Sequence, residues 1–306
     1  MPRNASVGRA VLLGLVLALL CAFASSAHAS PSEAPASFDA PSVYLYVPAG
    51  LQGQATPAQV VFALHGMGGE GKGFSQALIG AAEQNGWVLV APTFRYRNWR
   101  DPATVAEDDL ALTHDLVALL DTLPGRIGRP VERRAIVLGF SRGAQLAHRF
   151  ALTYPERTRA VAAMSAGSYT VPSPLDPSQG ADRPLLFPFG TADLAWRSGH
   201  PIDADALDRI PFWIGVGGDD TTAADVPRQW DTLLGKTRLE RARSFVSYLK
   251  AAGAPASLAV FPHSGHAMTP EMVSAAVAFL RQETAAPGKP AAEAPALTRL
   301  AGLFAL

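Results

Sequence analysis

Ser141 stands in the pentapeptide Gly139-Phe140-Ser141-Arg142-Gly143, directly behind the apolar run Ala135-Ile136-Val137-Leu138. That placement gives an ordinary hydroxyl the means to act as a nucleophile. An alcohol is a weak nucleophile until it is isolated and handed to a base. The G-x-S-x-G spacing achieves the isolation by geometry: a strand turns sharply into a helix, the serine occupies the strained tip, and the glycines let neighbouring backbone approach closely. Downstream, Ala144-Gln145-Leu146-Ala147-His148-Arg149-Phe150-Ala151-Leu152 carries apolar residues at helical spacing. Strand, turn and helix therefore occur in the required order. Acyl transfer through Ser141 is the expectation, and a glycine-rich strand-to-helix turn with an incidental serine is the alternative.

Three other apolar runs end in residues that could serve such a serine. Gln59-Val60-Val61-Phe62-Ala63-Leu64 leads into His65-Gly66-Met67-Gly68-Gly69. A surface turn or a phosphate loop would have similar composition, but no G-x-x-x-x-G-K-[ST] is present, which argues against phosphate. Leu258-Ala259-Val260-Phe261-Pro262 reads as a strand followed by His263-Ser264-Gly265-His266. Pro211 to Gly217 reads as another, ending in Gly218-Asp219-Asp220-Thr221, with Asp225 a few residues on. Asp193, in Gly190-Thr191-Ala192-Asp193, has the same local form but precedes that strand. Such loops also carry carboxylates for capping and solvation alone.

With these segments in this order, the chain resembles the α/β-hydrolase superfamily, and within it secreted esterases of the polyhydroxybutyrate-depolymerase-like and dienelactone-hydrolase-like kind. The resemblance covers most of the chain after its first residues. It implies a mostly parallel sheet with helices on both faces, and a triad met in the chain order serine, acid, histidine. Carried over residue by residue, the nucleophile is Ser141 and the base is His266, whose Gly-His form fits better than His263. The acid is Asp220 by the G-x-x-D pattern, with Asp219 and Asp225 as competitors and Asp193 as a decoy. The H-G-G-type loop implies an oxyanion hole formed by the backbone N–H groups of Met67 and Arg142, fixed dipoles that need no reorganisation as charge develops. His65 is expected to tie down its loop. Methionine in place of the second glycine of H-G-G-G departs from the lipase form.

The N-terminus points to export. Arg3 and Arg9 precede an apolar run from Ala10 to Phe23, which ends in the small-residue site Ala27-His28-Ala29. This is the form of a secretory signal peptide over residues 1–29, too short in its apolar core for a comfortable membrane span. A secreted or periplasmic location is expected, with no stable membrane insertion after cleavage. Cys21 is the only cysteine and would leave with the peptide, so no disulfide is expected in the mature chain. A lipoprotein would acylate Cys21, but the preceding Leu20 is large for that site.

The elements that must position these residues are legible as an alternation. After an Ala/Pro/Ser-rich linker over 30–41, a domain over 42–284 begins with a strand from Ser42 to Val47. Trp87 to Phe94 reads as a strand, Val105 to Leu123 as a helix, and Ala160 to Ser165 as a strand; such βαβ alternation indicates a parallel sheet. Thr237-x-x-Glu240 is a capping box opening a helix through Lys250, with Gly253 placed to end it, and Thr269-Pro270 starts a final helix. An Ala/Pro-rich tail is expected over 285–306.

With 306 residues, 48% of them hydrophobic, the chain is long enough for one α/β domain with a sizeable core. Its formal net charge of zero gives no basic footprint for nucleic acid. The scattered histidines lack metal-ligand spacing, and no cofactor is implied.

The irregular stretch from Tyr169 to Ile210 could shape a substrate pocket through Tyr169, Phe187, Phe189 and Trp196, as could Phe94, Tyr96, Trp99 and Phe140; packing of the loops is the simpler account of any one of them. The expected function is a secreted serine hydrolase that cleaves small or polymeric carboxylic esters through an acyl-enzyme. A peptidase or amidase, a polyester depolymerase, or a non-catalytic binding protein on the same fold are the alternatives, because fold does not define the leaving group.

Overall fold

The computed structural model describes residues 42–176 and 183–285. The expected signal peptide, Cys21, the linker over 30–41 and the tail beyond Ala285 lie outside the described residues.

Seven strands form one sheet: β1 (Val43–Tyr46), β2 (Gln59–Leu64), β3 (Trp87–Pro92), β4 (Ala135–Phe140), β5 (Thr158–Met164), β6 (Phe212–Gly217) and β7 (Ala256–Phe261). Their order is β1-β3-β2-β4-β5-β6-β7. Only the edge strand β1 runs antiparallel to its neighbour, pairing Val43 with Pro92 and Tyr46 with Leu89; the other pairings are parallel.

Apolar runs without polar alternation become central strands because both faces are covered. In β2, Val60, Phe62 and Leu64 enter one core, while Val61 and Ala63 enter the other, as the two-residue strand period requires. The first face is covered by α3 (Pro102–Ile127), α4 (Arg142–Thr153) and α8 (Arg238–Ala251), through residues such as Leu116, Phe150 and Phe245. The second is covered by α2 (Ile79–Asn85) and α9 (Pro270–Ala285), through Ala82, Met272 and Leu280. Short helices α1 (Gly71–Ser75), α5 (Leu194–Ser198), α6 (Ala204–Leu207) and α7 (Asp231–Leu234) fill the connections. Among the described residues no helix is long and apolar enough to cross a membrane.

Several boundaries differ from the sequence reading for local reasons. Helix α3 begins before Val105 because Asp101 caps it, accepting from the N–H groups of Ala103 and Thr104, with Pro102 in the first turn. It runs past Leu123 until Gly128 turns left-handed at φ 67°. Strand β3 stops at Pro92, short of Phe94, and β5 is offset by two residues at its start and one at its end from the expected 160–165. The capping box at Thr237 and Glu240 forms in both directions, and α8 continues to Ala251, one residue beyond Lys250.

The order of the strands also locates a crevice. From β2 the chain first moves outward to β3 and then returns to place β4 on the other side of β2. In open α/β sheets, ligands bind outside the carboxyl ends of the strands at such a switch point. The carboxyl ends of β2 and β4 carry His65-Gly66 and Ser141.

Candidate active site

Ser141 joins β4 to α4 with φ 55° and ψ −114°, a conformation that is sterically unfavourable for a residue with a Cβ. Neighbouring glycines make the sharp turn possible. A Cβ on Gly139 would lie 2.3 Å from the Gly143 carbonyl oxygen, and one on Gly143 would lie 2.0 Å from the Leu64 carbonyl oxygen. Both contacts are with backbone, so neither position has room for a side chain. The Ser141 N–H donates to the Met164 carbonyl at 2.8 Å, anchoring the tip to β5.

The loops after β6 and β7 are clamped together by backbone bonds from Gly218 N–H to the Phe261 carbonyl (2.7 Å) and from Asp219 N–H to the Ser264 carbonyl (2.9 Å). This brings Asp220 and His266 into register. His266 Nδ1 lies 2.9 Å from Asp220 Oδ2, and its Nε2 lies 2.9 Å from Ser141 Oγ. The ring stacks on Phe140, with centroids 5.0 Å apart. Asp220 is buried and its second oxygen accepts from Arg238 Nη1 at 3.1 Å. Burial opposes its charge, but the hydrogen bond to His266 and the Arg238 guanidinium outweigh that and hold its carboxyl below the usual carboxylate range.

The other candidates are placed elsewhere. Asp219 and His263 are exposed. Asp193 accepts from the Phe187 N–H at 2.7 Å and pairs with Arg197 at 2.6 Å. Asp225 is exposed at the cavity, and its backbone carbonyl accepts from Arg238 at 2.7 Å.

On the β2 side, the turn Gly66 to Gly69 closes with Gly69 N–H donating to the Gly66 carbonyl at 3.1 Å. A Cβ on Gly66 would meet Ser141 Cβ at 3.2 Å, so this loop runs beside the serine. Met67 and Arg142 both line the cavity next to it. Arg142 is the first residue of α4, where backbone N–H groups have no intrahelical acceptor. His65 is buried; its Nδ1 lies 2.7 Å from the Gly66 carbonyl oxygen, and its Nε2 accepts from the Phe94 N–H at 2.9 Å. Burial pushes its pKa down, so a neutral ring holds the two loops together.

Beneath the serine lies an ionic cluster that the sequence reading missed. Asp109 of α3 pairs with both Arg142 and Arg149, each at 2.7 Å, and all three are buried. Burial brings the Arg149 pKa down to about 10 despite this partner. The Arg142 guanidinium also sits 4.7 Å from the centre of the Tyr96 ring. A signal existed, since Asp109 interrupts the buried stripe of Val105, Leu112 and Leu116 on α3. Asp109→Asn leaves two buried guanidinium groups without a counter-charge and is expected to destabilise the fold by about 3–5 kcal/mol, measured by urea unfolding. A change below about 1 kcal/mol would show that the cluster contributes little to stability.

The cavity at Ser141 has a volume of about 360 Å³, and its walls include Trp99, Phe140, Gln145, Gly167 and Arg238. Of the aromatic residues considered from sequence, Trp99 and Phe140 line it. Those of the 169–210 stretch do not: Tyr169 is buried and stacks on Phe245 at 4.3 Å, Phe187 is buried, Phe189 packs on Trp230 at 4.4 Å, and Trp196 is 82% exposed. Gln145 and Arg238 were not anticipated, because both sit on helices whose visible signals were structural.

Comparison with known proteins places this architecture. The family model described as "Putative esterase" matches residues 39–275. Among solved structures, a poly(3-hydroxybutyrate) depolymerase, LpqC, from Bordetella parapertussis is similar at 25% identity and TM-score 0.56, over 78% of this chain and 82% of that one. Poly(aspartic acid) hydrolase-1 from Sphingomonas sp. KT-1 is similar at 21% identity and TM-score 0.56, over 78% and 91%. Esterase PE8 is similar at 18% identity and TM-score 0.52, over 81% and 99%. No curated protein matches the chain. The seven-stranded, mostly parallel sheet is that of the α/β-hydrolases, and the chain belongs to the esterase family of that superfamily, a hydrolase acting on esters.

Proposed function

We propose that this esterase is an exported serine hydrolase that cleaves carboxylic esters through an acyl-enzyme on Ser141. The observation that carries the reading is the unbroken relay of two 2.9 Å contacts from Ser141 Oγ through His266 to Asp220. In this mechanism His266 Nε2 takes the hydroxyl proton as Oγ attacks the ester carbonyl, then returns it to the leaving alcohol. Water, deprotonated by the same nitrogen, attacks the acyl-enzyme and releases the acid. Asp220 keeps the Nδ1 proton in place and stabilises the imidazolium between the two proton transfers. The N–H groups of Met67 and Arg142 receive the oxyanion.

A fluorophosphonate probe tests this reading: the adduct is expected on Ser141 alone. An adduct on another serine, or a protein that stays unlabelled while it cleaves esters, would overturn it. A polyester chain is a second substrate reading, favoured by the similarity to a poly(3-hydroxybutyrate) depolymerase. Comparing soluble esters of graded acyl length with insoluble polyester and with amides separates the classes.

Export rests on the charged start, apolar core and Ala27-His28-Ala29 site. N-terminal sequencing of protein recovered outside the cytoplasm is expected to begin at Ser30. A lipid-bearing N-terminal Cys21 would show membrane anchoring instead.

A further inference from the structure

We infer that Gln145 determines specificity, its side-chain N–H donating to a neutral acceptor oxygen in the acyl chain of the substrate. The inference rests on Ser141 being the acylated residue. Its starting point is the hydrogen-bond relay that holds the Gln145 amide. Arginine carries only donors. Arg149 Nη2 donates to Ser168 Oγ at 2.9 Å, and Ser168 Oγ donates to Gln145 Oε1, also at 2.9 Å. Arg149 Nη1 approaches the same Oε1 at 3.5 Å. Flipping the amide would set its NH₂ group against Arg149 Nη1, which can only donate, so the oxygen faces the relay and Nε2 faces the other way. Among the described residues, Nε2 has no hydrogen-bond acceptor.

Gln145 lines the cavity beside Ser141. It sits in the first turn of α4, where its backbone N–H donates to the Ser141 carbonyl at 3.2 Å, and both side chains line the one cavity. Opposite stands Gly167, where a Cβ would come 3.0 Å from Nε2; the missing side chain keeps the amide approachable. The acceptor oxygen tested below therefore stands in the acyl chain itself, two methylene carbons beyond the carbonyl held by Ser141.

The surrounding charges select a neutral acceptor. Arg142 and Arg149 share Asp109, Arg238 pairs with Asp220, and the exposed Asp225 carboxylate on the same wall offsets the remaining positive charge, so the wall carries no net charge to favour an anionic chain.

Benzyl 3-methoxypropanoate and benzyl pentanoate test this, since their acyl chains match in shape and differ by one oxygen in place of a methylene. Release of benzyl alcohol gives kcat/KM for each, corrected for the esters' rates with hydroxide. The wild-type protein is expected to favour the methoxy ester, and Gln145→Met to lower that preference about five-fold, the scale of one neutral hydrogen bond. Gln145→Glu still accepts from Ser168 and Arg149, which preserves the packing should the methionine variant fail to fold, and it is expected to lower the preference similarly. An unchanged ratio in either folded variant would overturn the inference. Faster turnover of benzyl hydrogen glutarate than of the methoxy ester by the wild-type protein would overturn the neutral class. Full activity in Ser141→Ala would instead remove the reading on which the inference stands, a separate result.

Discussion

Ser141→Ala is expected to lower kcat on short-chain carboxylic esters by at least about 10⁴, with the fold intact. Loss of the nucleophile in a subtilisin-type triad costs about 10⁶ in turnover, and the activity that survives there comes from the oxyanion hole and binding alone. The effect should be large because the residue is positioned for nothing else. Its backbone is held at φ 55°, and its hydroxyl lies 2.9 Å from His266 Nε2. The same strain allows a control on the fold. Ser141→Gly removes the Cβ that makes this conformation unfavourable, and is expected to be as stable as the wild type or more so, by up to about 1 kcal/mol, while equally inactive. Steady-state kinetics beside urea unfolding would read both quantities. A Ser141→Ala variant that keeps a tenth of the wild-type turnover would exclude an acyl-enzyme at this position.

The fold was legible because its signals are local. Apolar runs of strand length and a helix opened by Thr237 and Glu240 each report on a few neighbouring residues, and the structure shows a seven-stranded sheet and a two-way capping box there. The turn at Ser141 was legible for the same reason, since Gly139 and Gly143 are needed within four residues of one another. Beyond the serine, acid and histidine named through the resemblance, what could not be read was which distant side chains meet. Arg238 falls in the first turn of the helix opened by the capping box, and nothing in that motif tells of its contact with Asp220 on the neighbouring loop. The Asp109, Arg142 and Arg149 cluster joins two helices across 40 residues of sequence. The direction of the Gln145 amide depends on Ser168, which lies in a different loop. For the 169–210 stretch loop packing was the simpler account, and Tyr169, Phe187 and Phe189 follow it, although composition records that a ring will be buried and not against what.

Among the carboxylates this limit is sharpest, and it leads to the second large expected effect. Asp219, Asp220 and Asp225 lie within seven residues of one another, so local pattern separates them weakly, whereas long-range geometry separates them well. Asp220 is the one buried beside His266 Nδ1; Asp219 and Asp225 are exposed, and Asp193 is occupied by the Phe187 N–H and Arg197. Asp220→Asn should leave the shape of the site unchanged while replacing an acceptor by a group that can present N–H to Nδ1, favouring the wrong tautomer of the ring. The equivalent change in the chymotrypsin-type triad costs about 10⁴ in turnover. An expected loss on the order of 10² to 10⁴ follows here, the lower figure allowing for the nearby Asp225 carboxylate to substitute in part. Asp219→Asn, Asp225→Asn and Asp193→Asn are expected to stay within about ten-fold of the wild type, since none of them reaches the histidine. Kinetics on the four variants, with circular dichroism to establish folding, separate these outcomes. A near-wild-type Asp220→Asn beside a crippled Asp225→Asn or Asp193→Asn would mean that the carboxylate engaging His266 during turnover is not the one 2.9 Å from it here. The loop after β6 would then have to rearrange when substrate binds, breaking the backbone clamp between Asp219 and Ser264.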